Sequence, residues 1–202
     1  MKITRSEWAV FWFTVAYIAG FSVWFLTIGN YEFIWYIVTM VVMIALVGFN
    51  LRVAEFPVGL LWALTLWGLA HMAGGGVPVG DSVLYAKVLV PLTENGELTM
   101  LKYDQLVHAY GFGVTAWLLF HILRRNHPGM QGGWSIYVYP AIGSMGLGSV
   151  NEIIEFAAVV SMSETGVGGY FNTALDLVFN AAGAIIAVIW LAARNRGEKT
   201  ES

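Results

Sequence analysis

The run Phe171–Ala193 reads FNTALDLVFNAAGAIIAVIWLAA and contains one charged residue, Asp176. As an α-helix it is about 34 Å long at about 1.5 Å per residue, enough to cross a hydrocarbon core of about 30 Å. Lipid offers the backbone no hydrogen-bond partners, so only helices and closed barrels cross it. Barrel strands need only about 9–11 residues, so a run this long means a helix. Working outward, five more apolar segments of similar reach precede it: Trp8–Thr27, Tyr31–Phe49, Phe56–Ala73, Asp104–Leu123 and Trp134–Ser161. The sequence therefore predicts an all-α integral membrane protein: a six-transmembrane-helix bundle forming a single membrane domain over residues 1–202.

Composition supports this reading. The chain is 58% hydrophobic and 11% charged, against about 25% charged in a typical soluble domain. Charges so sparse cannot cover a soluble globule. The many Trp, Tyr and Phe fit aromatic belts at the two membrane interfaces. A net charge of −3 leaves no basic footprint for nucleic acid. The absence of cysteine excludes disulfides, thiolate metal sites and cysteine nucleophiles. The first apolar segment follows Lys2 and Arg5 as a signal peptide would, but it is too long and lacks a small-x-small cleavage site, so it reads as a retained anchor.

Lysine and arginine placement sets the expected orientation. With six crossings, Lys2, Arg5, Arg52, Arg124, Arg125, Arg194, Arg196 and Lys199 fall on one side, and only Lys87 and Lys102 on the other. The expectation is a cytoplasmic (inner) membrane protein with both termini in the cytoplasm, an outer loop over 74–103 and a cytoplasmic tail over 194–202, frayed from Asn195. The outer loop opens on Gly74-Gly75-Gly76, and Asn95-Gly96 between two apolar-polar runs predicts a small extracytoplasmic β-hairpin. Such a loop is either a lid or a plain connector.

Ionisable residues within membrane helices are costly and persist mainly where they line a cavity, pair or function. The first two helices offer only Glu32, at an outer end. The next four offer more. His71 closes the third helix. Asp104 and His108 are one turn apart on the fourth. Asn151, Glu152 and Glu155 lie on the fifth, with Glu152 and Glu155 sharing a face. Asn172, Asp176 and Asn180 form one stripe on the sixth. Counted from the outer ends, all lie in the outer half, so the sequence predicts a common polar site there. Up to four carboxylates with no lysine or arginine at that depth call for protons, a bound cation or imidazolium partners. Carboxylates with neutral imidazole suit Zn, Mn or Fe. The predicted ligands are His108, Glu152, Glu155, Asp176 and Asp104; Glu155, Glu152 and His108 are the candidate catalytic groups. His71, Asn180, Asn172 and Tyr85 are supporting residues.

Each has a plainer reading. Glu152 and Glu155 together would make a protonated interhelical pair, and Asp176 interhelical glue. Asp104 would be an N-cap, His108 a satisfied core histidine, and His71 a partner of loop backbone. Asn172 and Asn180 read as hydrogen-bonding supports. His121 and His127 read as interfacial, beside Arg124 and Arg125. Gly143, Gly146 and Gly148, with Ala181 to Ala184, predict close approach of helices five and six.

The stretches His71-Met-Ala-Gly-Gly, Leu84-Tyr85-Ala86, Tyr103-Asp104-Gln-Leu-Val-His108, Asn151-Glu152-Ile-Ile-Glu155 and Asp176-Leu-Val-Phe-Asn180-Ala-Ala-Gly183 resemble the YjdF-like family of bacterial inner-membrane proteins. The resemblance covers roughly Gly59 to Ala193. More distantly the order of motifs is similar to VanZ-like membrane proteins, whose link to glycopeptide resistance implies the cell envelope. Two departures stand out. Gln105 occupies the place where VanZ-like proteins usually carry Lys, and Asn172-Thr173-Ala174 replaces the Asp-Thr-Gln of YjdF-like proteins.

The leading functional expectation is a membrane-embedded site using a divalent metal ion for hydrolysis or transfer on a lipid or cell-envelope substrate, with membrane lipid as its surroundings. Two other classes remain open: a proton- or cation-coupled transporter using the same acids, and a non-catalytic envelope scaffold. No inverted repeat of the kind transporters carry is visible.

Overall fold

The computed structural model describes residues 3–29, 34–91, 100–130, 133–161 and 169–200. Six helices account for most of it: α1 (Arg5–Thr27), α2 (Ile34–Ala54), α3 (Val58–Gly76), α4 (Tyr103–Asn126), α5 (Ser135–Ser161) and α6 (Tyr170–Thr200). Four of them, α1, α3, α4 and α6, are long and apolar enough to cross a membrane. This is fewer than the six expected crossings. In α2 the apolar stretch among the described residues is shorter, Met40–Ala54. In α5 length is not what falls short, since 27 residues reach about 40 Å. Its apolar run is interrupted by Asn151, Glu152 and Glu155.

The chain divides into two compact units. The first comprises Met1–Lys87 with Lys102–Asp104, the second Val88–Leu101 with Gln105–Ser202.

In the first unit, α1 begins at a capping box. Thr4 accepts from the Glu7 N–H at 3.2 Å, and the Glu7 carboxylate accepts from the Thr4 N–H at 2.6 Å, which satisfies two otherwise orphaned amides. Helix α1 packs on α3 through aromatic and small residues. Phe13 lies 5.5 Å from Trp62 between ring centroids. The Trp24 indole N–H donates to the Gly76 carbonyl at 2.8 Å, and the Thr14 and Thr65 hydroxyls bond each other. Tyr17, Ile18, Phe25 and Met72 form the buried cluster, against which Ile37, Met40 and Ile44 of α2 pack.

Helix α3 continues through Gly74-Gly75-Gly76, where a loop was expected to open. Packing explains the glycines: a Cβ on Gly74 would overlap the Tyr85 ring, and one on Gly76 would sit 2.8 Å from Phe21. Beyond them, β1 (Pro78–Val79) and β2 (Ser82–Val83) pair antiparallel about Gly80-Asp81. Gly80 has φ +60°, a conformation glycine adopts at no steric cost. A 3-10 turn follows at Leu84–Ala86.

Strand β3 (Val88–Pro91) pairs with β4 (Met100–Lys102), whose first two residues belong with β3 to the second unit. These are the arms of the expected hairpin; its Asn95-Gly96 turn lies outside the described residues, as does Glu32. Helices α4, α5 and α6 form the body of this unit. Helix α6 runs on to Thr200, where the sequence suggested fraying from Asn195.

Candidate functional site

Close approach of backbones brings the polar groups of the second unit together. A Cβ on Gly183 of α6 would overlap the Ala109 carbonyl of α4, and one on Gly113 would lie 3.1 Å from the Gly183 oxygen. Helix α5 reaches α4 through Ser144, whose hydroxyl donates to the Phe112 carbonyl at 2.6 Å. Gly143 allows the same approach, since its Cβ would meet Leu119 at 3.0 Å. The close approach of α5 and α6 expected from sequence is present, and Gly148 is set against α6, where its Cβ would lie 2.7 Å from Nδ2 of Asn180. Gly143 and Gly183, assigned to the same contact, face α4.

His108 stands at the centre. Its Nδ1 is 2.9 Å from Oδ1 of Asn180 and 3.7 Å from Oε1 of Glu152. A carbonyl oxygen only accepts, so in the neutral ring Nδ1 carries the proton and Nε2 the lone pair. His108, Glu152 and Glu155 each present a ligand atom, and these atoms lie within 4.8 Å of one another. His108 and Glu152 are buried and Glu155 is half-buried. Glu155 also accepts from Nδ2 of Asn151 at 2.8 Å, a bond within α5.

A second cluster adjoins the first. Asp176, fully buried, accepts from Nε2 of Gln105 at 3.0 Å on one oxygen and from Nδ2 of Asn172 at 2.6 Å on the other. Gln105 also reaches Oδ1 of Asn172 at 3.4 Å. Asp176 is thus clasped by two side-chain amides from α4 and α6, an arrangement that satisfies a buried carboxylate without a cation. It keeps a carboxylate oxygen within 4.8 Å of a His108 ring nitrogen. Of the residues expected as supports, Asn172 hydrogen-bonds Asp176 and Asn180 hydrogen-bonds His108.

The remaining expected residues are in the first unit. His71 and Tyr85 come together there. The Tyr85 hydroxyl is 2.5 Å from Nδ1 of His71 and 2.9 Å from its carbonyl oxygen. Both contacts are satisfied if Nδ1–H donates to the hydroxyl and the hydroxyl donates to the carbonyl. Tyr103 donates to the Ala70 carbonyl at 3.1 Å, beside the Tyr85 ring. Asp104 is half-buried in the first turn of α4, one turn before His108. Since α4 starts at Tyr103, Asp104 is inside the helix and is not its N-cap. Its charge there complements the helix dipole.

Sequence reasoning missed Gln105 as a site residue, although it is fully buried and joins two of the expected residues. Its only signal was a polar side chain beside Asp104 within an apolar helix.

Charge is separated along this unit. Arg194 follows Asp176 by 18 residues on α6 (194 − 176), about 27 Å of helix. Arg124 follows His108 by 16 on α4 (124 − 108), about 24 Å. Two glutamates and one imidazole offer the oxygen and nitrogen donors that suit Zn, Mn or Fe. Bonds of about 2.0–2.2 Å to a tetrahedral ion set donor atoms about 3.3–3.6 Å apart, so these side chains must draw together slightly to close on one ion.

A family model described as predicted membrane protein (DUF2238) matches residues 5–197. No curated protein and no solved structure matches the chain.

Proposed function

The chain belongs to the DUF2238 family of predicted membrane proteins, and from that premise we propose that its second unit binds one divalent cation, Zn, Mn or Fe, through His108, Glu152 and Glu155. The supporting observation is the convergence of those three ligand atoms within 4.8 Å, two of the residues being buried. A +2 ion balances the two glutamates, which separately would be costly in an apolar interior. Asn180 fixes the His108 ring from behind, the support that metal-ligating histidines usually receive. Asp176, already held by two amides, braces α4 against α6.

The proposed activity is metal-assisted hydrolysis or group transfer on a lipid or cell-envelope substrate. The cation would polarise a substrate oxygen and activate water. Glu155, the most accessible of the three, is the group assigned to proton transfer. The finer placement belongs to the same proposal: a YjdF-like protein, more distantly VanZ-like, in the inner membrane with six crossings and both termini in the cytoplasm. The eight-to-two sorting of lysine and arginine supports that orientation.

The test is metal content by mass spectrometry on protein purified in detergent without chelators. Wild type should hold about one ion per chain, bound by three protein donors with a fourth position left for water. His108→Ala and Glu155→Gln should each lose most of it while remaining folded. Absence of metal from wild type, or full retention in both variants, contradicts the proposal.

A further inference from the structure

Gly148 lies buried in α5, four residues before Glu152 and so on the same face of the helix. Glycine weakens a helix relative to alanine, so its place there calls for a gain elsewhere. The three atoms nearest to a Cβ built on it all belong to Asn180 of α6: Nδ2 at 2.7 Å, Cγ at 3.0 Å and Cβ at 3.1 Å. The other described glycines of α5 are set differently. Gly146 is exposed, and a Cβ there meets no atom within 4 Å. Gly143 presses only on the end of a leucine side chain, Cδ1 of Leu119 at 3.0 Å.

Asn180 is itself buried, with Oδ1 2.9 Å from Nδ1 of His108. Nδ2, the arm against Gly148, has no hydrogen-bond partner among the described residues. Among those residues the bond to His108 is therefore the amide's only polar tie, and the slot beside Gly148 leaves room for it. A neutral imidazole can carry its proton on either nitrogen, and the group beside it decides which. Oδ1 facing Nδ1 puts the proton there and the lone pair on Nε2. A methyl at position 148 must turn the amide or, through the Asn180 Cβ, push α5 away from α6. Either movement lengthens the bond to His108.

We propose that Gly148 is a positioning residue of this site: its missing side chain holds the Asn180 amide on His108 and so fixes the ring tautomer that presents the Nε2 lone pair. Gly148 touches no ligand and acts through Asn180. The tautomer follows from the hydrogen bond alone, while its use in binding a cation rests on the metal reading above.

The experiment is nitrogen-15 NMR of the full chain, metal-free in detergent and labelled at its four histidines, at a pH where imidazole is neutral. Zinc affinity is measured on the same samples. The His108 signals are identified by their loss in His108→Gln. Wild type should carry the proton on Nδ1. Gly148→Ala should mix the two tautomers and weaken zinc by about tenfold, the scale on which a ligand's hydrogen-bonding support acts. Asn180→Ala should do the same. In the double variant the methyl takes the room the amide has left, so its zinc affinity should be no lower than that of Asn180→Ala alone. Gly146→Ala and Gly143→Ala should change neither readout. A proton on Nε2 in wild type overturns the proposal, because Nδ2 would then be the arm facing the ring. An unchanged tautomer in Gly148→Ala overturns it too, as do losses that add in the double variant. Should Gly148→Ala not fold, the double variant decides: its folding places the clash at Asn180, and its failure to fold overturns the proposal. Wild type with the Nδ1 tautomer and no affinity for zinc would sink the metal reading and leave the role of Gly148 standing.

Discussion

The interiors of the two units are built from different materials. In the first, the core is Tyr17, Ile18, Phe25 and Met72, and the buried polar groups beside it are Thr14 and Thr65. Their hydroxyls bond each other and, for Thr14, the carbonyl one turn back at 2.8 Å. In the second, the buried polar set is Gln105, His108, Thr115, Ser144, Glu152, Asp176 and Asn180. Threonine hydroxyls can join helices at almost no electrostatic cost. Carboxylates and an imidazole in an apolar interior are expensive. The first unit is what a membrane bundle needs in order to pack, and the second carries groups that packing alone does not call for. That difference is the reason for placing function in α4, α5 and α6.

The comparison can be broken at the backbone crossing on which the second unit depends. Gly183→Ala places a methyl into the Ala109 carbonyl, and main chain cannot yield as a flexible side chain can. We expect a loss of about 3 kcal/mol, at the upper end of overpacking costs, read as a lower melting temperature in detergent and poor yield. A variant as stable as wild type would show that α4 and α6 do not cross there.

A smaller effect sharpens the contrast. Asp176→Leu leaves the Gln105 and Asn172 amides without their shared acceptor, at a cost of about 2 kcal/mol. Asp176→Asn, which keeps one oxygen, should lose less. Equal losses in the two variants would count against the amide clasp. The smallest effect belongs to the first unit. Thr65→Val removes one hydroxyl bond between α1 and α3 and should cost about 0.6 kcal/mol, the usual scale for such bonds in membrane proteins. A loss as large as that of Asp176→Leu would erase the distinction between the two interiors.

Helix positions were legible because apolar length is a direct physical requirement. The six segments read from sequence coincide with the six helices to within a few residues at most ends. The joining of His108 with Glu152 and Glu155 was legible from depth and helical spacing. What depth could not supply was helix rotation and neighbour identity. Small residues announce a close approach without saying to what: α5 and α6 do pack closely, with Gly148 between them, but Gly143 and Gly183 face α4. His71 has the right depth, but its bond partner is Tyr85 within the first unit. Gln105 escaped notice because a neutral amide carries no charge signal. The glycines of α3 suggested a turn because glycine serves both for turns and for close packing, and only Tyr85 and Phe21 reveal which applies. Helix α5 shows the converse. The groups that make it interesting are those that reduce its resemblance to a membrane span.

The most direct measurement is X-ray absorption at the edge of the metal that copurifies with the chain. The account predicts a first shell of nitrogen and oxygen at about 2.0–2.2 Å, with an imidazole scattering signature that is missing from whatever metal His108→Ala still holds. A shell of oxygen alone in wild type, or an imidazole signature unchanged in His108→Ala, would contradict it.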